Sequence, residues 1–107
     1  MNFKELLKND INNVFFNMKE FSEEHTINGN IKEIIIDNDH LEDIKNNDKQ
    51  GIFRGDTLFY IKEKDVDFPV VIGKIIKFDE DIKRISDVSR ENEIYMIILE
   101  ENLGWLK

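Results

Sequence analysis

Glu24-His25-Thr26-Ile27-Asn28-Gly29-Asn30-Ile31-Lys32-Glu33-Ile34-Ile35-Ile36-Asp37 is the stretch that decides the fold. Asn28-Gly29 is a strong hairpin signal, because the favoured two-residue turn needs positive φ at both central residues and Asn and Gly tolerate it best. The flanking segments, Glu24–Asn28 and Ile31–Asp37, therefore read as a pair of antiparallel strands. Ile31 and Ile34-Ile35-Ile36 give the second strand a β-branched, apolar character on both faces.

Toward the C-terminus the strand signals continue at Thr57–Ile61, Val70–Phe78, Ile82–Val88 and Glu93–Leu99. The connections hold Asp65, Asp67 and Pro69, then Asp79-Glu80-Asp81, then Ser89-Arg90-Glu91-Asn92, all turn and loop residues. Ile85 and Val88 stand three apart, which breaks strict alternation; a β-bulge would place both on one face. Toward the N-terminus, Phe3, Leu6, Leu7, Ile11, Val14, Phe15 and Met18 recur at helical spacing, with Asn2 and Glu5 as a start signal, so Phe3–Phe21 reads as a helix. Between hairpin and later strands, Asn38–Asp56 is rich in Asp, Asn, Lys and Gly and reads as one long, flexible, irregular loop.

The fold class expected is α+β, mainly β: an N-terminal helix followed by a small antiparallel β-barrel or sandwich of about six strands. The chain reads as a single domain over residues 1–107, with the helix in 1–22, the barrel in 23–99 including the loop 38–56, and a C-terminal arm in 100–107.

The 107 residues are 40% hydrophobic and 36% charged, a globular composition able to bury its own core. There is no cysteine, which removes disulfides, thiolate nucleophiles and cysteine zinc sites together. No apolar run reaches membrane-spanning length, and Met1–Lys8 carries charges where a signal peptide is apolar. The expectation is a protein that stays in the cell that makes it and has no membrane partner. The net charge of −8 opposes sequence-independent nucleic-acid binding.

The residues that could carry chemistry do not form a site. His25 and His40 pair with no second histidine or cysteine at ligand spacing, and read as a strand residue and a loop residue. Asp37-Asn38-Asp39 begins like a calcium loop, but Leu41 and Glu42 stand where an oxygen ligand and a glycine are needed. Gly51-Ile52-Phe53-Arg54-Gly55 lacks the lysine-serine continuation of a phosphate loop. Ser22, Ser86 and Ser89 sit in no nucleophile elbow. Acidic pairs such as Glu23-Glu24 follow from 23 acidic residues and read as solvated faces. No cofactor, metal or catalytic residue is expected, and the chain does not read as an enzyme.

What stands out is surplus apolar surface. In Ile94-Tyr95-Met96-Ile97-Ile98-Leu99 both strand faces are apolar: Tyr95, Ile97 and Leu99 on one, Ile94, Met96 and Ile98 on the other. A barrel wall has one inside, so one face needs another cover, either the helix or a second chain. Tyr95, Ile97 and Leu99, with Trp105 in the C-terminal arm, are the expected subunit or ring interface.

The pattern resembles the small head–tail joining, or head-completion "stopper", proteins of tailed phages, the lambda-type joining proteins in particular. The resemblance lies in Glu23-Glu24-His25-Thr26-Ile27-Asn28-Gly29 running into Ile34-Ile35-Ile36-Asp37-Asn38-Asp39, then the long loop, Leu58-Phe59-Tyr60-Ile61, Ile72-Gly73-Lys74-Ile75-Ile76, the block Ile82–Val88, and Glu93–Leu99. It covers roughly residues 20–100 as a pattern of spacing, and departs at Lys74, where relatives often carry Asp. The resemblance implies a structural ring, typically a hexamer of this chain, in the neck of a virion assembled in the bacterial cytoplasm. Its implied neighbours are a portal-side adaptor and a tail terminator or tail tube protein, with packaged DNA passing through unbound. A tail-terminator or collar role is a close variant. The loop residues Asp39, Glu42, Asp43, Lys45, Asp48 and Lys49 would face the channel. The competing expectation is a small acidic regulatory or inhibitor protein that binds one host protein.

Overall fold

The computed structural model describes residues 21–47 and 55–101. The expected helix over Phe3–Phe21 therefore lies outside the described residues but for its last, as do Asp48, Lys49 and Trp105. The elements are β1 (Glu23–Ile27), β2 (Asn30–Ile36), α1 (Asn38–Asn46), β3 (Gly55–Lys62), a single 3-10 turn (Glu63–Asp65), β4 (Ile75–Phe78), β5 (Asp81–Glu91) and β6 (Ile94–Glu101). All strand pairs are antiparallel, and the six strands close into a barrel in the order β1-β2-β3-β6-β5-β4.

The β1–β2 hairpin turns at Asn28 and Gly29, with φ of 54° and 87°, and Ile27 faces Asn30 across it. Two-residue loops with positive φ at both centres match the right-handed twist of the flanking strands. The β5–β6 hairpin uses the same device at Asn92 and Glu93, with φ of 51° and 63°. This corrects the expected turn at Ser89–Asn92: Ser89, Arg90 and Glu91 extend β5, and the reversal falls one step later, where no glycine marks it. In β5 the pairing register with β6 shifts between Ile85 and Asp87, with Ser86 as the inserted residue. That bulge puts Ile85 and Val88 against the same core, as their spacing required.

Two apolar layers result from two-sided strands. Every strand contributes to the barrel interior: Ile27, Ile34, Phe59 with Ile61, Ile76 with Phe78, Ile85, and Ile97 with Leu99. The opposite faces of β3 and β6 supply a second cluster outside the wall, Leu58, Tyr60, Ile94, Met96 and Ile98, joined by Leu41 of α1. Residues 38–46 are thus helix, a correction to the long irregular loop. The local cause is Asp37, whose side-chain oxygen accepts the His40 N–H at 3.0 Å as an N-cap. The tertiary cause is β3, whose outer face receives Leu41 and Ile44.

Val70–Phe78 is also shorter than expected. Val71–Lys74 is a turn, closed by Lys74 N–H to the Val71 carbonyl at 3.1 Å with Gly73 at φ 94°, and the strand proper starts at Ile75. The barrel closes where β1 meets β4 through one registered pair, Ile27 with Phe78. Around it Asn28 N–H reaches Lys77 O and Asp79 N–H reaches Thr26 O, both at 2.8 Å, and the Asn28 side chain accepts Lys77 N–H at 2.9 Å. No described helix is long and apolar enough to cross a membrane.

Candidate functional site

The barrel presents two contrasting outer walls and a polar seam. On the first wall α1 lies over β3. Its packing side is His40, Leu41 and half-buried Ile44. His40, expected in a loop, is 4% exposed and its Nδ1 lies 2.8 Å from the Tyr60 hydroxyl. The helical period leaves Asp39, Glu42 and Asp43 exposed. Lys45 is half-buried, with its Nζ 3.8 Å from Glu42 one turn back. The structure thus brings four of the six expected loop residues together on one short helix.

The expected interface strand fares differently. Ile97 and Leu99 are fully buried in the barrel's own interior and Tyr95 packs against the same cluster. That face is therefore closed to a neighbouring subunit, a correction that follows from strand alternation: the register Phe59↔Ile97 and Ile61↔Tyr95 points both strands' shared face inward. Ile94, Met96 and Ile98 take the outward side and are buried in the cluster that α1 joins.

Sequence reading missed the second wall, formed by β4, β5 and the turn before them. Val71, Ile72, Ile75 and Ile82 are 58%, 62%, 47% and 49% exposed. Ile75 faces Arg84 across the ladder and Lys77 faces Ile82, so cations and isoleucines share the outer face. Gly73 N–H to Ile85 O at 2.7 Å and Ile85 N–H to Lys74 O at 2.9 Å hold the preceding turn against β5 and extend the wall. Lys74 and Lys77 make no ion pair among the described residues, while Arg84 is held by Glu100, its Nε donating to Oε2 at 2.6 Å. The available signal was the run Val70-Val71-Ile72, which reads equally as a buried strand.

At the seam, His25 stacks on Phe78 with ring centroids 5.4 Å apart. Its Nδ1 lies 2.7 Å from Asp79 Oδ2 and its Nε2 3.3 Å from Glu23, while Asp79 Oδ1 accepts Thr26 N–H at 2.9 Å. Burial pushes the imidazole pKa down, but the bonds to Asp79 and Glu23 outweigh it and raise it above 6.5. The hydrogen bond from His25 holds the Asp79 carboxyl below its ordinary range. At the far end of the barrel Arg90 makes a two-pronged pair with Glu63, at 2.8 Å on each arm, which lowers the Glu63 carboxyl. Beside it is an open cleft of about 350 Å³ lined by Lys62, Glu63, Lys64 and Glu93.

None of these groups forms a nucleophile–base pair, and among the described residues no three His, Cys, Asp or Glu side chains cluster to hold a metal. The described residues form a small closed barrel with two contrasting outer walls. No protein-family model matches the chain, and no curated protein matches it. Among solved structures it is similar to the crystal structure of a Salmonella typhimurium protein described as "ATP-binding sugar transporter-like", at 13% identity and a TM-score of 0.47, over 92% of this chain and 91% of that one.

Proposed function

We propose that this chain is a structural ring subunit in the neck of a tailed phage or phage-tail-like particle, joining the head or portal adaptor to the tail and helping to retain DNA. The observation that carries the reading is the bulge in β5. The segments of the resemblance fall in order along one closed barrel, and its bulged strand before a final apolar strand coincides with the register shift between Ile85 and Asp87, although β5 runs three residues past Val88. A closed barrel suits the role physically. Closure leaves only short stretches of sheet edge to polymerise through, at β1 and the start of β2, so its contacts are set mainly by side-chain walls. The net charge of −8 favours a lining that DNA can pass without adhering.

The test is genetic removal with imaging. Particles made without this chain should accumulate as filled heads and separate tails, and a labelled copy should restore joining and locate at the neck. Normal joined particles in the chain's absence, or label elsewhere in the virion, overturn the proposal.

A further inference from the structure

Going around the six-strand ring β1-β2-β3-β6-β5-β4, β4 and β3 are three strands apart in either direction. The wall that exposes Ile75 and Lys77 therefore lies diametrically across the barrel from the wall that carries α1. The first is apolar with Lys74 and Lys77 exposed on it, while Arg84 is held by Glu100 and the acidic turn Asp79-Glu80-Asp81 stands at its end. The second is anionic: Asp39, Glu42 and Asp43 stand exposed on nine residues of helix, with Lys45 already turned onto Glu42. In a chain of net charge −8, an outer wall that exposes two lysines without an ion pair among the described residues, beside four isoleucines and valines, is the exception that a partner would explain.

We propose that the β4–β5 wall of one copy docks on the α1 wall of a second copy, with Lys74 and Lys77 against Asp39 and Asp43. The partner is argued from charge, since the exposed carboxylates on α1 of this same protein complement Lys74 and Lys77. The geometry then fixes the type of assembly. Complementary patches on opposite sides of one molecule cannot satisfy each other in a two-fold dimer. They add head to tail, which gives a ring when the rotation closes. Ile75 and Ile82 supply the apolar centre of the contact and the ion pairs its rim. Closure into a ring rests on the neck reading above; the contact itself does not.

The absence of cysteine makes the test direct. Lys77→Cys and Asp43→Cys chains, each with its partner wall intact, are mixed and treated with a short bismaleimide. Cross-links between positions 77 and 43 should exceed those of an otherwise equivalent Lys64→Cys and Asp43→Cys pair at least tenfold. The chain carrying both substitutions should give a ladder of multimers. Adding Lys74→Glu to one chain or Asp39→Lys to the other should cut the yield at least threefold, and adding both should restore it to within about twofold. All these positions are exposed, so unchanged thermal unfolding verifies the fold. Links predominantly between 77 and 77, a yield no higher than the control, or charge reversal without effect would overturn the contact. The same pair introduced into particles separates the two proposals. Neck-located chain without 77–43 links sinks the contact alone, and 77–43 links in a chain absent from the neck sink the neck reading alone.

Discussion

Asp79→Asn probes how the barrel is closed. The substitution keeps a residue that tolerates the φ of 54° at this position and keeps an oxygen to accept Thr26 N–H, while it removes the charge facing His25 Nδ1 at 2.7 Å. A hydrogen bond between charged partners is worth about 1.5–3 kcal/mol against about 0.5–1.5 for a neutral one. The Asp79 side chain is 42% exposed, so the loss belongs at the low end, about 1 kcal/mol. The seam has one registered pair, which leaves little to absorb that loss. In a barrel of this size it lowers Tm by about 4–8 °C. The sign of the pH dependence follows from both partners. His25 has a raised pKa, so its contribution is full below its ordinary 6.5 and is lost as pH rises through the raised value. Asp79 has a lowered pKa, so its contribution is full above its ordinary 3.8 and is lost as pH falls through the lowered value. The penalty is therefore greatest between those two values and shrinks once the imidazole is neutral. Thermal unfolding followed by circular dichroism at about pH 5.5 and pH 8, with an NMR titration of His25, measures both. An equal penalty at the two pH values, or a His25 pKa that does not fall in the variant, would refute the account of the seam.

Ile97→Ala should cost about 2–5 kcal/mol in urea unfolding of the isolated chain, because Ile97 is fully buried inside the barrel; a change under about 1 kcal/mol would return it to the surface. Ile75→Lys should leave stability within about 0.5 kcal/mol, since the side chain is 47% exposed, and a large loss of Tm would show that the β4–β5 wall is covered in the monomer. Glu93→Gly should stabilise by up to about 1 kcal/mol, because a glutamate at φ 63° bears the left-handed penalty that glycine escapes; destabilisation would mean the Glu93 side chain contributes more than its backbone strain. Asp37→Ala should lower stability by about 1 kcal/mol through the lost cap on α1, read as a lower Tm with reduced helical signal at 222 nm.

Where local chemistry dictates the conformation, the amino-acid order was enough to read it. Asn28-Gly29 specifies its turn through the φ values it tolerates, and the strands on either side follow from β-branched residues and the length of the runs. Ile85 and Val88 demanded a bulge because side chains alternate with a period of two, and the register shift supplies it. The two-sided apolar pattern of residues 94–99 announced two covers without saying which face took which, because periodicity fixes that Tyr95, Ile97 and Leu99 go together but carries no direction. Only the closure of six strands decided that this set faces inward, which moved it from interface to core. The helix at 38–46 was illegible for a related reason. Two turns with Leu41 and Ile44 among polar residues are too short to hold helical structure by propensity, and they become a helix because the outer face of β3 buries that pair. The exposed β4–β5 wall depends most on tertiary structure. Val71, Ile72, Ile75 and Ile82 look like core residues in the chain, and they lie outside because the inward positions of that wall are already taken by Ile76, Phe78 and Ile85.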